Sequence, residues 1–261
     1  MTFSNYHTHT SFCDGKDDPE ALVLEAIRLG CPELGFSGHS HVPFDDYTMS
    51  VEGTEAYIRE IGRLQAKYAG QIRILLGIEQ DSFSPMPTDP YAYVIGSVHY
   101  VLRDGEYLSI DETRERQMRA VEEHYGGDYY AFVEDYYTEV ARVYEKTRCD
   151  IVGHFDLVTK FNEAGDLFDT AHPRYRKAAL AALDVLAKAP VIFEINTGAI
   201  SRGYRRTPYP EPFLLEEMQK RGLPLILSSD CHNKRDLLLC FDELSRQELR
   251  GLLERLPIRK E

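Results

Sequence analysis

Residues 3–14 read FSNYHTHTSFCD. Phe3–His9 reads as a strand, and it ends in two histidines, His7 and His9. Residues two apart on a strand point to the same face, so these two rings form a pincer of ring nitrogens. Asp14 follows closely. One His-x-His pair is weak evidence of a metal site. Its weight depends on what ends the other strands.

Six further short apolar runs read as strands: Glu33–Ser37, Ile72–Ile78, Tyr93–Val98, Asp150–Gly153, Val191–Ile195 and Leu223–Ser228. Helical stretches separate them. Asp18 caps a helix that begins at Pro19 and stops at Gly30. Thr54–Tyr68, Tyr129–Lys146, Pro173–Lys188 and Pro212–Arg221 follow, with a last helix near Ser245–Leu256. Seven strands alternating with helices predict a parallel α/β sheet. Their number and regularity favour a closed or nearly closed barrel over an open doubly wound sheet. Neither GxGxxG nor GxxxxGK(S/T) occurs, which lowers the dinucleotide and P-loop readings.

In a barrel the C-terminal strand ends meet on one face, where active sites are built. His39 follows the second run, Glu79 the third, His99 the fourth and His154 the fifth, while Asp230 and His232 follow the seventh. The sixth ends in Glu194-Ile195-Asn196 and shows no evident ligand. Six histidines and two acids are therefore expected around one point. Protonated imidazoles crowded together would repel, and divalent metal removes that cost by holding them neutral. Nitrogen and carboxylate oxygen without thiolate suit Zn, Mn or Fe. The ligands outnumber what one tetrahedral ion takes, so two or three ions are expected, with Glu79 as the bridge. Clustered metals commonly serve hydrolysis of phosphate esters. His124, in a loop, and His172, before Pro173, are read as ordinary residues. His41 is either a group behind the ligands or a loop residue.

The motifs HTHT (7–10), SGHSHVPF (37–44), GIEQD (77–81), GSVHY (96–100), GHFDL (153–157), EINTGAISRGYRRTPYP (194–210) and SSDCH (228–232) resemble, in order and over nearly the whole chain, the PHP (polymerase and histidinol phosphatase) family. Among its members the stand-alone histidinol-phosphate phosphatases are the most similar. The resemblance implies a distorted (β/α)7 TIM-like barrel, one domain over residues 1–261, with three metals. His7, His9, Glu79 and Asp230 would hold the first ion, Glu79, His99 and His154 the second, and Asp14, His39 and His232 the third. Asp14 stands where some members have histidine, and Ser37-Gly38-His39 where many read TDH; both departures fall on the third site. Arg202 and Lys160 match stretches that supply phosphate-binding cations, and relatives often carry arginine near Lys160. The implied activity is hydrolysis of L-histidinol phosphate, in histidine biosynthesis, by attack of a metal-bridging hydroxide; the alternatives are a phosphoesterase on a phosphotyrosine protein or nucleotide, or a metal-stabilised binding module without chemistry. Arg202 would stabilise the developing charge, and Asp14, His39, His41 or a metal-bound water would supply the leaving group's proton. Arg205 and Arg206 read as solvated loop charge.

The 261 residues carry a net charge of −13, with 43% hydrophobic and 28% charged residues. Such a chain repels a phosphate backbone, so nucleic acid is not an expected partner. No apolar run approaches the length of a membrane span. Five cysteines form no CxxC pair, which points to a reducing cytoplasm. Nothing in the sequence sets the oligomeric state. Long segments at 81–91 and 99–127 are expected to select the substrate. Their acids and aromatics, Asp81, Phe83, Tyr91, Tyr100, Glu106 and Tyr107, together with Asp111 and Glu112, suit an amine and an imidazole ring.

Overall fold

The computed structural model describes residues 2–246. Its strands are β1 (Glu33–Phe36), β2 (Arg73–Asp81), β3 (Tyr93–Ser97), β4 (Tyr100–Arg103), β5 (Glu106–Ser109), β6 (Ile151–Val152), β7 (Ile192–Asn196) and β8 (Leu225–Ser228). The helices are α1 (Pro19–Leu29), α2 (Val51–Lys67), α3 (Arg114–Tyr125), α4 (Tyr129–Thr147), α5 (Pro173–Leu186), α6 (Gly198–Ser201), α7 (Pro212–Lys220) and α8 (Phe241–Arg246). Six strands form one sheet in the order β1-β2-β3-β6-β7-β8, all neighbours parallel, while β4 and β5 form a separate antiparallel hairpin. The sheet curls into the TIM-like barrel; the open doubly wound alternative does not hold.

The expected first strand is corrected. Phe3–His9 makes only isolated parallel bridges, Asn5 with Leu34 and Thr8 with Cys231. It lies between the two edges of the sheet and closes the ring through short backbone contacts: Gly35 N and Ser37 N donate to the carbonyls of Asn5 and Thr8 at 2.8 and 3.1 Å, His9 N donates to Cys231 O at 2.9 Å, and Cys231 N donates to His7 O at 3.3 Å. Side chains reinforce these contacts. Asn5 donates to the Ser229 hydroxyl at 2.6 Å and the Leu237 carbonyl at 3.0 Å, and the Thr8 hydroxyl donates to the Gly35 carbonyl at 2.7 Å.

Other boundaries move by a few residues. β2 runs on to Asp81, which puts Glu79 inside the strand. α2 begins at Val51 because the Ser50 hydroxyl accepts from Gly53 N. The segment 99–127 is not one loop: it holds the β4–β5 hairpin, turning at Asp104-Gly105, and α3, which places His124 in a helical last turn. Of the expected last helix near Ser245–Leu256, residues 247–256 lie outside the described residues. Among the described residues no helix is long and apolar enough to cross a membrane.

Period-two alternation sorts side chains to two cores. Tyr6, Leu75, Tyr93, Ile95, Ile151, Ile192 and Ile226 fill the barrel interior. The larger cluster packs the outer helices on the sheet. The Tyr93 ring occupies room that two glycines leave. A Cβ on Gly77 would stand 2.2 Å from it, and one on Gly35 would stand 2.3 Å from its hydroxyl. That hydroxyl donates to the Tyr6 carbonyl at 2.5 Å and lies 3.1 Å from the Phe36 carbonyl, fixing the closing segment against β1. Above this floor, β2 continues inward with Glu79 and β7 with Glu194.

This packing predicts two stability changes, read by denaturant unfolding. Gly77→Ala should cost about 1–3 kcal/mol or more by overpacking. Tyr93→Phe should cost about 1–3 kcal/mol, because it removes a buried donor.

Candidate metal centre

All nine sequence-predicted ligands meet at the C-terminal mouth of the barrel. Glu79, buried to 1% exposure, stands at the middle. Its Oε2 lies 3.2 Å from His7 Nε2, 3.4 Å from His9 Nε2 and 2.9 Å from His39 Nδ1. Its Oε1 lies 2.9 Å from His154 Nε2 and 3.4 Å from His99 Nε2. Asp230 Oδ1 lies 3.0 Å from His9 Nε2 and 3.6 Å from His7 Nε2. Asp14 reaches His232 Nε2 at 3.0 Å, His39 Nε2 at 3.6 Å and His9 Nδ1 at 3.8 Å.

Three groups have ligand atoms close enough to share an ion: His9, Asp14, His39 and His232; His7, His9 and Asp230; and His39, Glu79 and His99. These groupings differ from those the resemblance implies, since His9 joins the Asp14 group and His39 also faces Glu79. The donor set fits metal on a further observation. His7 Nε2, His9 Nε2 and Glu79 Oε2 are buried and near one another, yet none has a hydrogen-bond partner of acceptable geometry among the described residues. Polar atoms left so would be costly unless a cation stands among them.

Electrostatics couple the acids and imidazoles of the centre to one another: burial opposes the charge on His7, His39 and His99, yet Glu194 and Glu79 raise the first, Glu79 and Asp14 the second, and Glu79 and Asp81 the third above the usual imidazole range. Burial opposes ionisation of Glu79, but His7, His39 and His99 hold its carboxyl well below the usual range. Asp230 is likewise held low against burial, by Arg202 and His7, and Asp14 by His39 and His232. Burial and the neighbouring His232 and His39 push His9 down to about 3, which keeps its ring neutral. Asp230 sits at φ 47°, the left-handed region that L side chains rarely adopt; such strain gathers at functional sites.

Two carboxylates behind the histidines escaped the sequence reading. Glu194 Oε1 lies 2.6 Å from His7 Nδ1, and Asp81 Oδ2 lies 3.1 Å from His99 Nδ1. Each fixes the ring so that Nε2 faces inward, the arrangement typical of metal-binding histidines. Glu194 was visible as the one acid in the apolar run VIFEIN, at 0% exposure. His154 differs, because its Nδ1 is buried without a hydrogen-bond partner among the described residues.

The remaining candidates divide. His41 holds the Met49 carbonyl at 3.2 Å and stands outside the three groups. His124 lies between Asp104 and Glu106, and His172 caps α5. A cavity of about 340 Å³ opens over the centre, lined by Asp14, His39, His99, His154, Asp230 and His232. Arg202 and Lys160 stand on its wall with Tyr204, and Asp45, Asp46, Asp111 and Glu112 complete it. Arg202 reaches Asp230 Oδ2 at 3.0 Å, and its Nη1 lies 2.8 Å from His232 Nδ1. Lys160 donates to the Asp111 carboxylate at 2.9 Å. Of the expected selector residues, only Asp111 and Glu112 line this cavity. Asp81 is committed to His99, Tyr91 is core, and Tyr107 stacks on Phe44 at 3.7 Å. Arg205 is not solvated, being 5% exposed and tied to Thr159 and Glu211, whereas Arg206 is exposed.

Glu194→Gln should weaken metal binding about 10- to 100-fold, the usual loss when a carboxylate behind a ligand histidine goes. Chelator competition with unchanged far-UV circular dichroism checks it.

Comparison with known proteins places this geometry. A probable histidinol-phosphatase of Deinococcus radiodurans is 32% identical, over 92% of this chain and 90% of its own. A histidinol-phosphatase of Bacillus subtilis is 26% identical, over 90% and 96%. The crystal structure of histidinol phosphate phosphatase from Lactococcus lactis, complexed with zinc, L-histidinol and phosphate, superposes with a TM-score of 0.73 at 22% identity, covering 98% of each chain. The family model of the PHP domain matches residues 5–198, a stretch that runs from the closing segment to the start of α6 and carries seven of the nine converging ligands, and the chain belongs to that family.

Proposed function

We propose that residues 1–261 form one metal-dependent phosphomonoesterase domain that hydrolyses L-histidinol phosphate to L-histidinol and phosphate, in the cytoplasm and in histidine biosynthesis. The observation that carries the reading is the cavity over the ligand cluster, whose lining also holds two cationic side chains, Arg202 and Lys160. His7, His9, Glu79 and Asp230 would hold one divalent ion, Glu79, His99 and His154 a second, and Asp14, His39 and His232 a third; Zn, Mn or Fe suits these donors. Bound there, such ions lower the pKa of a water molecule and neutralise charge on phosphoryl oxygens.

The chain's own groups do the rest. Arg202, oriented by Asp230, presents its guanidinium to the phosphoryl oxygens, where a planar fork of donors matches their geometry. Lys160 adds a point charge. The leaving alkoxide needs a proton, which His39 on the cavity wall or a metal-bound water would supply; Asp14, held ionised by His39 and His232, would not. L-Histidinol phosphate is favoured because the relatives of similar length are named for it. The acids Asp45, Asp46, Asp111 and Glu112 suit a leaving group that carries an amine and an imidazole. Burial opposes the charge on Asp111, but Lys160 and His99 hold its carboxyl at about 2, so Asp111 stays ionised at neutral pH.

Purified protein should contain more than one equivalent of Zn, Mn or Fe per chain by elemental analysis. Glu79→Gln should cut turnover by orders of magnitude, and metal-free protein that still released phosphate would contradict the reading. Arg202→Ala should lose about 2–4 kcal/mol of transition-state stabilisation with metal content near wild type. Finally, kcat/KM for L-histidinol phosphate should exceed that for phosphotyrosine, a 3′-nucleotide and p-nitrophenyl phosphate under the same metal. Equal or higher values for phosphotyrosine or the nucleotide would reassign the substrate.

A further inference from the structure

Lys160 and Arg202 come from different loops, one after β6 and one after β7. The first loop is a chain of tight turns: Leu157 N donates to His154 O, Thr159 N to Asp156 O and Lys160 N to Leu157 O, each at 2.9 Å. Lys160 is thus rigidly joined to Asp156 and Thr159. The second loop is closed as firmly. Arg202 N donates to Gly198 O at 3.2 Å, Arg205 N to Ala199 O at 3.2 Å, and Tyr209 pairs with Asn196 through two bonds of 2.9 Å.

The two loops are cross-tied beneath the cavity. Arg205, from the second loop, donates to the Thr159 hydroxyl of the first, and also to Glu211 and, at 3.3 Å, to Thr207 of its own loop. The Tyr209 ring lies 4.9 Å from its guanidinium carbon. Asp156, from the first loop and 0% exposed, accepts from Glu211 N of the second at 2.7 Å. One tie therefore runs each way. Neither Arg205 nor Asp156 lines the cavity or belongs to a ligand group. Buried charges of this kind stabilise a fold less than packed apolar side chains of the same size, so stability alone does not account for them.

We propose that Arg205 and Asp156 are positioning residues that set the spacing of Lys160 and Arg202 in the cavity lining, and so its fit to a phosphate group. This rests on the reading of those two cations as phosphate-binding groups. A displacement of about 1 Å in such a pair is felt strongly in binding and turnover, even when the altered residue is far from the reacting atoms.

The test uses metal-loaded full-length protein and inhibition by inorganic phosphate, with Arg202→Ala as the reference. Arg205→Lys should weaken phosphate inhibition about 10- to 100-fold and raise KM more than it lowers kcat, at wild-type metal content. Thr159→Ala, a milder change that keeps the guanidinium, should shift both in the same direction, and Thr159→Ser should restore them. If Arg202→Ala weakens phosphate inhibition while Arg205→Lys and Thr159→Ala leave it unchanged, the brace is structural only and the proposal fails. Loss of metal in proportion to loss of inhibition would overturn it equally. If Arg202→Ala itself leaves inhibition unchanged, the phosphate reading fails and takes the proposal with it.

Discussion

Glu79 is a carboxylate with no solvent to stabilise it, and the rest of the centre follows from that constraint. Burial alone would drive it neutral. His7, His39 and His99 prevent this, helped by the hydrogen bond from His154; five imidazoles surround the carboxylate, His7, His9 and His39 on one oxygen and His99 and His154 on the other. Those rings come from the closing segment and from the ends of β1, β3 and β6, so only a barrel with neighbouring parallel strands brings them to one point. The same carboxylate then has both oxygens directed at different groups of nitrogen, the geometry a bridging ligand needs.

The mouth above it carries both signs of charge. The loops after β6 and β7 contribute the cations Lys160 and Arg202, and residues 45–46 and 111–112 contribute acids. A dianionic phosphate is drawn to the first set and a cationic remainder of the same molecule to the second, which helps to orient the ester. The two sets meet where Lys160 donates to the Asp111 carboxylate at 2.9 Å.

Much of this was legible because strand-end ligands obey a period of two and follow short apolar runs. What failed did so for physical reasons. The run through His7 gives no sign that its pairing will stop at isolated bridges reinforced by the side chains of Asn5 and Thr8. α3 buries only Gln117 and Val121, so its sequence RERQMRAVEEHY shows almost no apolar face and reads as loop. Glu194 looks like a failed ligand on a strand without histidine; its role appears only once His7 is known to be beside it. Arg205 in GYRRTPYP looks like its exposed neighbour Arg206, since the groups that bury it, Thr159 and Asp156, lie some fifty residues upstream in the sequence.

The closure of the ring by the chain's first residues has a kinetic consequence. The bond from Asn5 to Ser229 joins positions 224 apart, and His9 N meets Cys231 O across the same seam. Contacts of such long sequence separation carry the largest loop-closure entropy and form slowly. The helices and neighbouring strands between them are local and need not wait. His7 and His9 therefore meet Asp230 and His232 late in folding, after the barrel wall exists, and a chain still being synthesised has no complete centre until its eighth strand has emerged.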